Sequence, residues 1–153
     1  MIAWMNGHIQ RKCATECEIM ALGSGICYRV LINDRTCAAL PDHIEPPREY
    51  NLQEAYGKWQ CLFIHEHITE TAHDLIGFLT REELALFRLL LTVSGIGCTT
   101  ALAIVGLGEP KNIRQAIRLQ NTAYLRRAKR LGEKGASNIC LALAGKVTED
   151  WEE

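Results

Sequence analysis

No stretch of this sequence stays apolar for the roughly 18 residues that a membrane-spanning helix needs. The longest candidate, Leu84 to Val93, is broken by Arg88. The N-terminus has no signal-peptide pattern, since Met1 to Met5 is too short an apolar run and Asn6-Gly7-His8 ends it. A soluble, cytoplasmic protein with no membrane partner is expected. The seven cysteines (Cys13, Cys17, Cys27, Cys37, Cys61, Cys98, Cys140) contain no C-x-x-C pair and are spread over apolar segments. That spacing points away from metal clusters and disulfide frameworks and towards reduced core residues. His65-Glu66-His67 sets two histidines on one face of a strand, but nothing else at ligand spacing joins them, so no metal and no cofactor is expected.

What is present is a chain of 153 residues with 48% apolar content, enough for one ordinary domain or two small ones. Its formal net charge of -1 hides a partition. Residues 1–78 carry six Lys/Arg against ten Asp/Glu, residues 79–147 carry eleven against four, and Glu149, Asp150, Glu152 and Glu153 follow. Basic charge therefore sits in the second half, where nucleic-acid phosphate would be attracted.

Met1 to about Phe78 reads as β structure. Glu16 to Leu22 and Ile26 to Ile32 are apolar-rich runs joined by the turn Gly23-Ser24-Gly25. Lys58 to Ile68 and Asp74 to Phe78 are further runs, and Met1 to Ile9 supplies the first strand. Five short strands with glycine turns suit a small closed barrel. Trp4 and Trp59 sit in strand patterns, where core packing is favoured over base stacking. Pro41 to Glu49, with prolines at 41, 46 and 47, is a long surface loop. At Thr80 the period changes: Thr80-Arg81-Glu82-Glu83 is a capping box, and Leu84, Phe87, Leu90 and Leu91 follow at helical spacing. The expected domains are a barrel over 1–79, an all-α domain over 80–147 and an acidic tail over 148–153.

The helical half is organised around Val93-Ser94-Gly95-Ile96-Gly97-Cys98-Thr99-Thr100. Glycines between two helical patterns allow a tight turn and expose successive amides where the next helix begins, which suits an anion. The alternative is an ordinary αα-hairpin with a glycine turn. Ala101 to Val105 continues helically to Gly106-Leu107-Gly108, Pro110 to Leu119 is the next helix, and Asn121 caps another from Thr122 to Lys129. A second glycine turn, Leu131-Gly132-Glu133-Lys134-Gly135, leads into a helix over Ala136 to Lys146 that partly buries Ile139, Leu141, Leu143 and Val147. The two units repeat at about 35 residues, Gly97 matching Gly132. Candidate phosphate contacts are Gly95, Ile96, Gly97, Thr99 and Thr100 in the first turn and Arg130, Gly132, Lys134 and Gly135 in the second. Arg126, Arg127 and Lys129 form a basic run beside it, the alternative being a solvated face, and Lys111, Arg114 and Arg118 lie one helix earlier. Amides position a phosphate without reading a base, so selectivity for structure over sequence is expected.

The succession of a barrel, Leu75-Ile76-Gly77-Phe78, the run Thr80 to Leu90, Val93 to Gly97 and a second hairpin resembles the RuvA family of bacterial Holliday-junction branch-migration proteins. Met1-Ile2, Asn6-Gly7 and Gly25-Ile26-Cys27-Tyr28-Arg29-Val30 fit as well. The resemblance implies an α+β protein: an OB-type β-barrel that assembles as a homotetramer, then a domain of two helix-hairpin-helix motifs. It further implies a non-catalytic subunit that binds four-way DNA junctions for branch migration in recombination and repair, beside a motor ATPase and a junction resolvase.

Three departures from the family pattern qualify those implications. The family's acidic pin at the junction centre falls on Glu70 and Thr71, leaving one acid of the pair, with Glu66 close in sequence. Cys98-Thr99 stands where the family has Pro-Lys, and Arg130-Leu131-Gly132 stands for Gly-Ile-Gly. The family's linker and motor-binding third domain fall beyond Glu153, so these residues give no expectation of direct coupling to the motor. Two rival functions remain. A base-excision glycosylase of the hairpin class needs a carboxylate, commonly an Asp, a little beyond the hairpin, and the sequence has no Asp between Asp74 and Asp150. A single-stranded nucleic-acid-binding or scaffold module would use the barrel face instead.

Overall fold

The computed structural model describes residues 1–42 and 59–147. The chain divides into two compact units, Met1–Leu84 and Ala85–Glu153, a division that falls inside a helix and beyond the boundary expected near residue 79.

The first unit is a closed barrel of five strands: β1 (Trp4–Lys12), β2 (Glu16–Ala21), β3 (Cys27–Leu31), β4 (Gln60–Ile68) and β5 (His73–Phe78). They close in the order β1-β2-β3-β5-β4. All neighbours are antiparallel except β3 and β5, which run parallel through Val30↔Leu75 and Leu31↔Ile76. This is the OB-type arrangement, and closure removes the open edges that a small sheet would otherwise expose. β1 serves two neighbours, pairing with β4 through Trp4–Gly7 and with β2 from Gly7 to Lys12, and its register shifts between Ile9 and Arg11. Such a bulge bends the strand round the barrel.

Alternation along pleated strands decides what is inside. Ile9, Ile19, Val30, Leu62, Ile64, Ile76 and Phe78 are fully buried. The same alternation turns Trp4 outward, opposite Phe63, because Met5 faces the core; Trp4 is 54% exposed, which corrects the expectation that it packs inside. Trp59 is half-buried and precedes β4. All seven cysteines are free, as expected, but only Cys17 and Cys140 are buried, and Cys13, Cys27 and Cys61 are exposed. Burial pushes the Cys17 thiol up to about 12, so it behaves as a packing group.

No element was legible in residues 33–40, yet α1 (Asp34–Ala39) forms there. Six residues are too few for a periodic pattern, and the helix depends on its ends. Asn33 Oδ1 accepts the Thr36 amide at 2.8 Å, and Lys12 Nζ donates to the Cys37 and Leu40 carbonyls at 2.9 and 2.6 Å. Of the proline loop only Pro41 and Asp42 fall within the described residues, and the acidic tail falls outside them.

The next helix, α2 (Arg81–Leu91), starts where the capping box places it: Thr80 Oγ1 accepts the Glu83 amide at 3.2 Å. The return bond differs from expectation, since the buried Glu83 carboxylate accepts from Leu79 N at 3.0 Å and from Arg35 Nη1 at 3.2 Å. Glu83 thereby ties the first turn of α2 to α1.

In the second unit, α3 (Cys98–Val105), α4 (Pro110–Arg118), α5 (Thr122–Leu125) and α6 (Glu133–Leu143) follow. The expected helix to Lys129 is one turn only, because the Arg127 and Ala128 amides bond three residues back, to Tyr124 O at 3.3 Å and Leu125 O at 3.0 Å, and tighten the chain out of the α conformation. α6 starts earlier than expected, at Glu133. It buries Ala136, Ile139, Cys140 and Leu143 and leaves Leu141 75% exposed, which corrects the burial expected of Leu141: a step of two residues along a helix reverses the face.

Replacing Glu83 by Ala should lower the unfolding free energy in urea by about 2 kcal/mol, since it strands a half-buried amide and removes an ionic acceptor from Arg35. A change below ~0.5 kcal/mol would show the contact to be neutral.

Candidate nucleic-acid interface

Two hairpins in the second unit share one geometry at a spacing of 35 residues. The buried residues Leu90, Val93, Ile96, Ala101 and Ile104 recur as Leu125, Ala128, Leu131, Ala136 and Ile139. Backbone bonds recur with them: Ile96 N to Val93 O at 3.1 Å and Leu131 N to Ala128 O at 3.3 Å, then Ala101 N to Gly97 O at 2.9 Å and Ala136 N to Gly132 O at 3.0 Å. In each turn one apolar side chain, Ile96 or Leu131, plugs the core and the residue before it adopts a left-handed conformation. That residue is Gly95 at φ 84° in the first turn and Arg130 at φ 66° in the second. The tight second turn therefore forms without its first glycine.

The helices that follow begin alike. Gly97 (φ -94°, ψ 175°) and Gly132 (φ -82°, ψ 176°) are the N-caps of α3 and α6, and neither start has a side-chain cap. First-turn amides have no acceptor within their own helix. Asn33, Thr80 and Asn121 satisfy such amides with side-chain oxygens at the starts of α1, α2 and α5, whereas α4 begins after Glu109 without a side-chain cap and with Pro110 in its first turn. At Gly97 and Gly132 the cap offers none, and the space a Cβ would occupy is open at both. The amides of Thr99, Thr100, Lys134 and Gly135 thus lie in the first turns of two helices without a side-chain cap, at the positive end of the helix dipole, an arrangement that suits an anion.

The candidate side chains divide by burial. Gly95, Gly97 and Thr99 are exposed and Thr100 is half-buried, while Ile96 is 8% exposed. Arg126, Arg127, Lys129, Arg130, Gly132 and Lys134 are exposed. Arg127 lies over the Tyr124 ring at 5.4 Å, and Arg126 approaches Glu133 at 3.9 Å. Gly135 has a packing role that its sequence position does not disclose. A Cβ there would lie 2.8 Å from Leu131 Cδ1 and 4.0 Å from Ile96 Cδ1, so its bare backbone lets the plugs of the two hairpins pack side by side. The two hairpin turns are thus neighbours.

Glu70 and Thr71 occupy the exposed tip of the β4–β5 turn, closed by Thr69 N to Ala72 O at 2.8 Å and by Thr69 Oγ1 accepting the Ala72 amide at 3.0 Å. Glu66 is not at the tip: it lies on β4 beside His73 Nε2 at 3.5 Å, so it does not restore the acidic pair.

Comparison with known proteins agrees with this geometry. A family described as a SAM-like helix-hairpin-helix tandem matches residues 87–144. The chain is 36% identical over 147 residues to the Holliday junction branch migration complex subunit RuvA of Amoebophilus asiaticus, covering 96% of this chain and 68% of that protein. It is 44% identical over 90 residues to the protein of the same name from Bacillus velezensis, covering 59% of this chain and 45% of that protein. It is 38% identical over 104 residues to the one from Streptococcus pyogenes serotype M18, covering 68% and 52%. The matches thus span about half the length of the latter two relatives.

Gly95→Ala should destabilise the helical unit by about 1–2 kcal/mol, the cost of holding an L residue in the left-handed region, while Ser94→Ala should change it by less than ~0.5 kcal/mol. Thermal melts of the two variants would check this, and equal melts would refute the turn assignment.

Proposed function

This chain belongs to the RuvA family, and from that premise we propose that it is a non-catalytic DNA-binding subunit that recognises four-way junctions as a homotetramer and serves branch migration in recombination and repair. The observation that carries the reading is the pair of adjacent hairpins whose helix starts leave their amides without a side-chain cap. Each hairpin takes one backbone phosphate, Gly95, Ile96, Gly97, Thr99 and Thr100 at the first and Arg130, Gly132, Lys134 and Gly135 at the second. Arg126, Arg127 and Lys129 add positive charge beside the second. Contacts of this kind follow the path of the DNA backbone, so the protein distinguishes a junction from a duplex by the placing of its phosphates and not by sequence.

The barrel is the centre of the assembly in this reading. Glu70 and Thr71 at the tip of the β4–β5 turn meet the crossing strands, and one carboxylate per subunit repels phosphate there. A branch-migration motor ATPase, which supplies the chemistry, and a junction resolvase act on the same junction, all in the cytoplasm. Among the described residues no helix is long and apolar enough to cross a membrane. The exposed Trp4 opposite Phe63 favours a second reading, a single-stranded nucleic-acid or scaffold module using the barrel's outer face.

Gly97→Asp separates fold from binding. An Asp at that cap accepts the first-turn amides itself, stabilising α3 by a few tenths of a kcal/mol while placing a carboxylate where the phosphate sits. Junction binding in gel shifts should be lost and the oligomer retained. For the unaltered protein, the logarithm of the association constant should fall with the logarithm of salt at about -0.9 per phosphate contacted. Equal affinity for junction and matched duplex would sink the junction reading, and a monomer preferring single strands would favour the second reading.

A further inference from the structure

We propose that Trp4, Phe63 and Arg81, on the outer face of the barrel, form a stacking site for an unpaired base of single-stranded DNA. This rests on the junction reading and deepens it. Branch migration exchanges base pairs at the crossover, each exchanged base is transiently unpaired, and the exposed Trp4 thereby gains a place in that reading.

Strand register puts the two aromatic residues side by side. Ile64 N donates to Ala3 O at 2.9 Å, so the adjoining pair, Trp4 and Phe63, is of the non-hydrogen-bonded kind in which opposite side chains come closest. Met5 and Leu62 in the following pair are buried, so Trp4 and Phe63 face outward together. Arg81 opens α2 with its guanidinium 5.5 Å from the centre of the Phe63 ring, within the range of a cation–π contact. All three residues belong to the first unit.

The fold gives Trp4 and Arg81 little to do. Tryptophan is mostly buried in folded chains, yet Trp4 is 54% exposed and its side chain makes no hydrogen bond or ring contact among the described residues. Arg81 is exposed and has no ion pair among the described residues, although residues 1–78 carry ten acids against six cations. An aromatic pair and an unpaired cation thus share one patch of an acidic barrel.

The occupant follows from that pairing. A nucleobase offers a flat face for the indole, and the phosphate attached to it offers the negative charge that Arg81 lacks in the fold. A purely apolar partner would cover the indole and leave the Arg81 charge buried and unpaired, at a cost in free energy. Every base has a π-face, so the site takes a base without reading it. Position agrees with the reading of the β4–β5 tip. Phe63 lies five residues before Ile68, where β4 enters the turn that carries Glu70, a distance of about 17 Å for a strand. At ~3.4 Å per nucleotide, a strand parted at the tip covers it with about five nucleotides.

The test uses the full chain and an oligothymidylate of about twelve nucleotides, with tryptophan fluorescence and anisotropy followed across a salt series. The single strand should quench the fluorescence of the unaltered protein. Trp4→Ala should lose that part of the quenching and bind the oligothymidylate about tenfold more weakly, with the salt slope unchanged because stacking releases no counterions. Its assembly mass in light scattering should equal that of the unaltered protein. Trp4→Phe should restore most of the affinity. Arg81→Gln should weaken binding and make the slope shallower by about 0.7, the share of one phosphate on a single strand. Unchanged quenching and affinity in Trp4→Ala overturns the assignment. So does loss of assembly in that variant, which would give the face to another copy of the chain. Equal binding of a matched four-way junction and a duplex by the unaltered protein would instead remove the junction reading, leaving the oligothymidylate result to decide the site by itself.

Discussion

The second unit depends on one constraint: an apolar plug must be buried while the chain on either side of it reverses. Ile96 and Leu131 are each 8% exposed, and to seat them the preceding residue has to turn left-handed. Once that happens the following residue, Gly97 or Gly132, is extended, and a new helix begins with its first amides facing out. Burial of two side chains thus sets the direction of the donor sets. Both plugs approach Gly135, where a side chain would collide with Leu131.

The barrel rests on different physics. Its closure is a matter of strand register, with β1 bent at the shift between Ile9 and Arg11 to pair on both sides. Part-buried polar contacts join residues distant in the chain: Lys12 donates to the carbonyls at the end of α1, and Glu83 accepts from Leu79 and from Arg35. The outer ion pairs, such as Arg11 to Glu18 at 2.8 Å, are exposed and contribute little to stability. Stability and proposed function are therefore separable: the barrel keeps its core away from the β4–β5 tip, and the helical unit keeps its core behind the hairpin turns.

Much of this was legible from residues alone. Apolar runs and glycine turns located all five strands, the Thr80 box located the start of α2, and the glycine pattern located both hairpins and their equivalence. What escaped did so for identifiable reasons. α1 is held by end contacts, including one from Lys12, that no periodicity reports. The exposure of Trp4 follows from its place in the β1–β4 pair, and a strand pattern without register leaves the facing side open. Leu141 looked like core because it is apolar, but the start of α6 at Glu133 sets which face is inward. At the site, Gly135 reads as one more flexible donor and turns out to be the point where two plugs pack.

Sequence by itself determined the architecture, because hydrophobic period, turn chemistry and capping are local properties carried by neighbouring residues. It also determined the split of charge between acidic barrel and basic helices, and through its motifs the family. Only the tertiary structure decided that Arg130 adopts a left-handed conformation, that Glu83 gives its carboxylate to Leu79 and Arg35, and that the two hairpin turns are neighbours. Those facts depend on contacts between residues distant in the chain or on the closing of a turn around a buried side chain, and no local pattern encodes them.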